Sequence, residues 1–442
     1  MRFILRLTVF TLVLCAVPVF GFAQNLDFPK PREEKLLNDL KLLVWNQPNA
    51  EKITVILRIH SGSAFDPDQK MGTVALLSDI LFPDEGIKDF FKTDLEGSLD
   101  ISYGYDYIQI TAVSKPGELL TILETLSPAV IDPAINKETT EKVKTKRLAL
   151  LNQLENDPKY IAERSAAKQL YGDFPYGRPV EGTIESLGLI DFADIIFAKQ
   201  RLLTSDNATM TISGDVSSTF AYRAVRRLFG GWTKRTEKIP SMFRLPEKPD
   251  TRFVSIPNRG IDTVELANAA ATVSRKDDSY FASRILEKIM QSRLEKQLAT
   301  GKNFAVQNSH LLRGIFFIGA SFDPDTASEE STVDLFKTIL SEKIGASEFE
   351  AAKTAVVNEF RTTDPAILWL DVDTFQLQSA SDEAARLSRV TLSDVQKTAS
   401  DMLNAPHTSV NVVPERSEAQ IVEKKSVTDA PVDQDKDPKD PQ

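Results

Sequence analysis

The sequence predicts an α+β protein built as two similar halves, and three observations carry that reading. Stretches with strand alternation, such as Ile53 to His60, are followed by apolar helical runs. The strand-rich stretches come in hairpin-like pairs, which favours antiparallel pairing over a parallel βαβ sheet. The strand-then-helix order of the first half recurs after residue 250. Without its leader the chain keeps about 420 residues, enough for two domains of roughly 200, each able to bury its own core.

Taken in order, Met1 to Arg6 is short and basic, Leu7 to Phe20 is apolar, and Gly21-Phe-Ala23 is a small-x-small cleavage site. Residues 1–23 therefore read as a signal peptide, and the mature protein as periplasmic or secreted. The single cysteine, Cys15, lies in this leader and follows Leu14, where a lipoprotein signal wants a small residue. Cleavage leaves no thiol for a disulfide or a metal. No other apolar run approaches the roughly 18 residues of a spanning helix, so a soluble product without a membrane anchor is expected.

Residues 24–232 read as the first domain. Gln24 to Lys30 is an extended lead-in, Arg32 to Leu43 a helical or turn element, Ile53 to His60 a strand, and Ser61 to Pro67 a loop. Gly72 to Phe82 is an apolar helix. Asp84 to Asp89 lacks the alternating oxygen ligands of a calcium loop and reads as a solvated acidic loop. Gly97 to Asp106 is a strand with Leu99, Ile101, Tyr103 and Tyr105 on one face. A charged helix runs from Glu141 to the Asp157-Pro158 pair, Asp206 to Asp215 is a strand, and Thr219 to Phe229 is a helix with Ala221, Val225 and Leu228 on one face. Residues 233–250, with Pro240, Pro246 and Pro249, form a linker. The second domain, residues 251–416, starts with a strand at Thr251 to Ile256 and continues through a long helix at Tyr280 to Leu298. A buried strand at Gly314 to Phe322 and helices at Ser331 to Ser341 and Ser347 to Phe360 follow. Residues 417–442, polar and rich in Asp, Lys and Pro, read as a disordered tail.

A net charge of −10 and a pI near 5.1 exclude the basic footprint of a nucleic-acid binder. The basic run from Lys142 to Arg147 reads as a solvated helix face. His60, His310 and His407 lie far apart in sequence with no ligand-spaced partner beside them, and His60 reads as structural. Gly230-Gly231 lacks the Lys-Ser/Thr of a phosphate loop and reads as a turn. Ser78 beside Asp79 has no neighbouring base to make it a nucleophile.

Several motifs occur in a fixed order. The strand from Ile53, the loop and the helix from Gly72 come first, then Phe174-Pro-Tyr-Gly-Arg-Pro-Val-Glu-Gly-Thr-Ile-Glu-Ser186, then Asp206-Asn-Ala-Thr-Met-Thr-Ile-Ser-Gly-Asp215. This series resembles the insulinase and mitochondrial-processing-peptidase family, peptidase family M16. The resemblance implies two homologous α/β-sandwich half-units, each a mainly antiparallel sheet with helices packed on one side. In that family the first helix carries H-x-x-E-H, two zinc ligands and a general base on one face. The matching positions here are Ala75, Ser78 and Asp79, and an alanine methyl cannot ligate a metal. The third ligand, a glutamate on the helix before Asp157-Pro158, falls on Leu150 or its neighbour Ala149. No catalytic residue and no metal are therefore expected in this chain.

The second half matches the frame of the family's substrate clamp at Ser292-Arg-Leu-Glu-Lys-Gln-Leu-Ala299 and Asn303-Phe-Ala-Val306, with Ala299 for its arginine and Val306 for its tyrosine. Ala75 and Val306 are both apolar and suited to packing. The segment from Gly97 matches the family's G-x-x-N-A-x-T-x-x-D strand, with Asp100 and Asp106 at the polar positions. There the family adds a substrate peptide as an extra strand, which implies a peptide site at Asp100, Ile101, Ser102 and Tyr103. The preferred expectation is an inactive partner subunit that completes a peptide-enclosing chamber with a zinc-bearing sibling. The alternative is a stand-alone peptide-binding or scaffold protein, distinguished by the absence of such a sibling. An active peptidase with an unfamiliar site ranks behind both.

Overall fold

A computed structural model of the chain describes residues 28–235, 248–298, 302–323 and 335–415. The leader, the tail, linker residues 236–247, Ala299 and the start of the helix expected from Ser331 lie outside the described residues. The architecture is α+β, with two mixed, mainly antiparallel sheets. The first has strands β1 (Arg32–Lys35), β2 (Lys41–Asn46), β3 (Ile53–Ile59), β4 (Ser98–Tyr103), β5 (Ile108–Ser114) and β6 (Ala208–Gly214), in the order β1-β2-β6-β3-β5-β4. The second has β7 (Val254–Asn258), β8 (Val264–Ala271), β9 (Asn303–Asn308), β10 (Ile315–Phe322) and β11 (His407–Pro414), in the order β7-β11-β8-β10-β9. Among the described residues only the β2–β6 and β7–β11 pairs are parallel.

Arg32 to Leu43 forms a β-hairpin, not the helical or turn element expected. Leu36 N–H bonds Leu40 O at 2.9 Å, Asp39 takes a left-handed φ of 69°, and β1 then pairs with β2. Leu42, Leu43 and Val44 are all buried, because β2 is covered on both faces, so no alternation marks it as a strand. Asp84 to Asp89 is likewise not a loop. Asp84 accepts the Gly86 N–H and caps a helix over Glu85–Thr93, and acidic residues suit a helix amino terminus.

The first half carries helices α1 (Thr73–Leu81), α2 (Glu85–Thr93), α3 (Leu119–Ile131), α4 (Lys137–Leu154), α5 (Pro158–Tyr171), α6 (Ile184–Gly188), α7 (Phe192–Leu202) and α8 (Ser218–Phe229). The second carries α9 (Tyr280–Gln297), α10 (Leu335–Ser341), α11 (Ala346–Thr362), α12 (Pro365–Phe375), α13 (Ala380–Arg389) and α14 (Leu392–Asn404). Odd-numbered residues of β3 from Ile53 to Ile59 enter the core under α1, α3 and α8, while Ile56 points to the opposite face. That opposite face receives α12 from the second half, through Ala366 and Leu370 against Leu43, Trp45 and Ile56. Reciprocally, Ile161, Ala162, Ala166 and Leu170 of α5 pack on the second sheet against Ala267, Ala269, Phe317 and Val410. Both exchanged helices begin alike: Asp157 and Asp364 cap them, and Pro158 and Pro365 open the first turn. The halves are thus joined by a swapped pair of helices, one on each sheet.

β4 and β1 are the edge strands of the first sheet, and β9 and β7 those of the second. Gly97 sets the approach of β4 to β5, since a Cβ there would lie 1.8 Å from Val113 O, a backbone atom that cannot turn aside. Gly97→Ala is expected to lose about 2 kcal/mol or more of stability by forcing β4 off its neighbour. A urea midpoint unchanged from wild type would contradict this.

Candidate functional site

The helix expected to carry the degenerate motif is α1. Asp66 anchors its start by accepting the Gly72 and Val74 N–H groups at 2.8 and 2.9 Å, and burial pushes the Asp66 carboxyl up to about 7. Ala75 is fully buried and packs. Ser78 is buried too, its hydroxyl donating back to Val74 O at 2.9 Å, as a serine inside a helix commonly does. Asp79 alone of the three positions turns a polar group to a neighbouring element.

The residue of α4 that meets Asp79 is Arg147. Leu150 and Ala149 are exposed on the other side of this helix, while Val143, Arg147 and Leu151, spaced by four, form the buried stripe. The third-ligand position read at Leu150 therefore does not face α1. Nor is the end of the basic run a solvated face: Lys142 and Lys146 are exposed, but the Arg147 side chain is only 3% exposed. Its guanidinium fills the space between α1 and α4. Nε and Nη2 donate to Asp79 Oδ2 at 3.0 and 2.6 Å, and Nη2 lies 3.4 Å from Ala75 O. Nη1 donates to Glu181 Oε2 at 2.5 Å and to the Tyr103 hydroxyl, which in turn donates to Glu181 Oε2 at 2.5 Å.

Glu181 reaches this point because its backbone runs against the start of α1. Gly72 and Gly182 both have positive φ, and a Cβ on Gly182 would lie 2.4 Å from Met71 O. Burial raises the Asp79 carboxyl above its usual range, and Arg147 opposes that rise. Burial also raises the Tyr103 phenol. Burial works against the Arg147 charge, but Asp79 and Tyr103 more than offset it, so the guanidinium is held as a cation.

This donor set does not fit a tetrahedral zinc. Ala75 offers a methyl, Ser78 is committed to its own helix, and Asp79 is bound to a cation. Among the described residues no cluster of three or more His, Cys, Asp or Glu is placed to hold a metal.

The residues read as a peptide site lie on β4 beside this cluster. Asp100 and Ser102 are exposed, Ile101 and Tyr103 are half-buried, and Tyr103 is the one tied to Arg147. Among the described residues β4 pairs with β5 alone, leaving its other edge open. Asp106 is a joint between the halves: it accepts the Tyr176 hydroxyl at 3.0 Å and lies 2.8 Å from His310 Nδ1. His60 is half-buried between Thr209 and Thr374, and His407 stacks on Phe336, so the three histidines share no site.

In the second half Arg293 belongs to the core, gripping Glu348 at 2.7 and 2.8 Å and the carbonyls of Ile339 and Glu342. Val306 does not pack as expected. It is exposed, because β9 is an edge strand. Sequence reasoning missed Arg147 and Glu181. The available signal was a charged residue within an apolar stripe of spacing four, which places a cation indoors.

Residues 190–356 match the sequence profile of the peptidase M16 inactive domain. The non-peptidase homolog YmxG of Helicobacter pylori is 26% identical over 170 residues, which cover 36% of this chain and 38% of YmxG. The chain thus spans well under half the length of that relative. A protease of Helicobacter pylori shares the fold with a TM-score of 0.80 at 17% identity, over 88% of this chain and 100% of its own. The periplasmic protease PqqL of Escherichia coli aligns with a TM-score of 0.67 at 14% identity, over 94% of this chain and 52% of PqqL. On the profile match, the curated relative and the shared fold, the chain is similar to peptidase family M16: its residues 190–356 match the inactive domain, and the relative YmxG is a non-peptidase homolog.

Proposed function

We propose that this protein is exported to the periplasm or beyond and acts as the non-catalytic partner of a zinc-bearing M16 sibling, completing a chamber that encloses peptides. One observation carries the reading: an open strand edge, β4, stands beside a site whose ligand positions hold Ala75, Ser78 and Asp79. Strand addition uses backbone N–H and C=O groups and so survives the loss of metal ligands. The lengths agree with a two-chain chamber, since PqqL holds about twice this chain's aligned length in one polypeptide. Zinc and base would then come from the sibling. A periplasmic relative and the basic-then-apolar leader support the location.

The test is reconstitution. Mixing this chain with an H-x-x-E-H sibling from the same host should raise the sibling's peptide hydrolysis and give a heterodimer by sedimentation at micromolar concentration. A sibling fully active alone, with no association, would leave the stand-alone peptide binder as the better reading. Docking on β4 is checked separately. An extended peptide should bind the isolated protein, and N-methylation of alternate amides should weaken it about tenfold or more through lost backbone hydrogen bonds. Equal affinity of both peptides would exclude strand addition.

A further inference from the structure

Four separate elements converge on the Arg147 guanidinium. Asp79 comes from α1, Tyr103 from the end of β4, Glu181 from the segment before α6, and Arg147 itself from α4. A surface ion pair holds little, but this cation is 3% exposed and every one of its nitrogens is bonded within the cluster. The two carboxylates that touch it are only partly buried, 35% and 26% exposed, so the charge is drawn inward from their rim. We infer that Arg147 is a tethered cation, standing between α1 and α4 where a metal ion would otherwise bridge them, and that through Tyr103 it holds the open edge of β4 in place. The clause about β4 rests on the peptide-docking reading; the cation clause does not.

Two consequences follow from charge and donor type. The wild-type cluster is closed to divalent ions, because a covalently held guanidinium cannot be displaced from between Asp79 and Glu181. Removing it leaves two carboxylates and a phenol, an oxygen-only set with charge −2 that suits a hard divalent ion such as Mn²⁺ or Ca²⁺ rather than Zn²⁺. Arg147 is a positioning residue in this account. Its effect on docking is transmitted by Tyr103.

The experiment is hydrogen exchange and thermal melting of the full mature chain, wild type and Arg147→Ala, with and without millimolar Mn²⁺, Ca²⁺ or guanidinium. Arg147→Ala should melt earlier, and amides of Ser98–Tyr103 should exchange about tenfold faster or more. An added cation should restore both in the variant and change neither in wild type. A purely packing role for the side chain would not respond to cations. The inference is overturned if the folded variant exchanges at the wild-type rate, or if none of the three cations affects it. Should Arg147→Ala not fold, the neutral variant Asp79→Asn/Arg147→Met/Glu181→Gln decides. It should fold, ignore cations and still show fast exchange in β4; wild-type protection there would overturn the inference. Peptide affinity of the wild-type protein is measured in a separate arm, so failure of docking and failure of the tethered cation give different results.

Discussion

Replacing Glu383 with alanine is expected to remove about 3–5 kcal/mol of folding stability, because it strands one buried and one largely covered cation, Arg275 and Arg386. Glu383 on α13 is 2% exposed and serves Arg275 with one carboxylate oxygen and Arg386 with the other, the second at 2.5 Å. Arg275 also lies over the Tyr280 ring, 4.1 Å from its centroid, and Arg386 donates to the Asp277 carbonyl. These bonds fix the segment leading into α9, the central helix of the second half. Without the carboxylate neither guanidinium has an anionic partner within the cluster. Glu383→Gln keeps one acceptor and the side-chain volume, so its loss should be smaller than that of the alanine variant. Urea unfolding measures both, with a lower midpoint at unchanged slope as the expected signature. An alanine variant within about 1 kcal/mol of wild type would mean that water or another anion reaches the pair.

The reach of the sequence varied with how each segment is buried. β3, α1, α8, α9 and β10 were legible because each buries one face, or forms an unbroken apolar run with clear ends. β2 was not, because α12 covers the face that would otherwise have shown polar residues. The exchange of α5 and α12 between halves left only a faint local mark, the paired Asp-Pro starts, since a helix that packs on a distant sheet looks like any other amphipathic helix.

At the site, the residue of α4 that meets Asp79 is Arg147, three positions before the Leu150 read from the sequence. Counting back from Asp157-Pro158 located the helix and not its phase. Burial of Val143, Arg147 and Leu151 sets that phase, and it turns Leu150 outward. Glu181 was hidden for another reason: it lies 34 residues from Arg147 and approaches only because Gly72 and Gly182 let two loops touch. Partners chosen by tertiary approach leave no periodic signal.

Acidification is expected to loosen the joint between the halves through His60. Its ring sits with Nδ1 2.9 Å from Thr374 Oγ1 on α12 and Nε2 3.0 Å from Thr209 Oγ1 on β6. Around it, Asp373 takes Lys41 at 2.9 Å and Thr209 at 2.8 Å, and Asp371 takes Arg58 at 2.7 Å, so these bonds tie α12 to the first sheet. Burial lowers the His60 ring to about 4, with Asp373 opposing and Arg58, Lys41 and Arg235 adding to the effect. A depressed histidine is neutral in the folded state, and its contribution is fully present above the unfolded value of about 6.5. As pH falls from there to about 4, the unfolded chain takes a proton that the folded chain refuses, and stability drops by an amount on the order of 3 kcal/mol. Asp66, raised to about 7, acts with the opposite sign: it favours the folded state as pH falls through the same window. The His60 part must therefore be read as a difference. His60→Gln can still bond both threonines and cannot be protonated, so its stability should fall less between pH 7 and pH 4.5 than that of wild type. Parallel stability curves for the two proteins across that range would show that the ring takes up its proton as readily in the folded chain as in the unfolded one, and would remove the acid sensitivity of the joint.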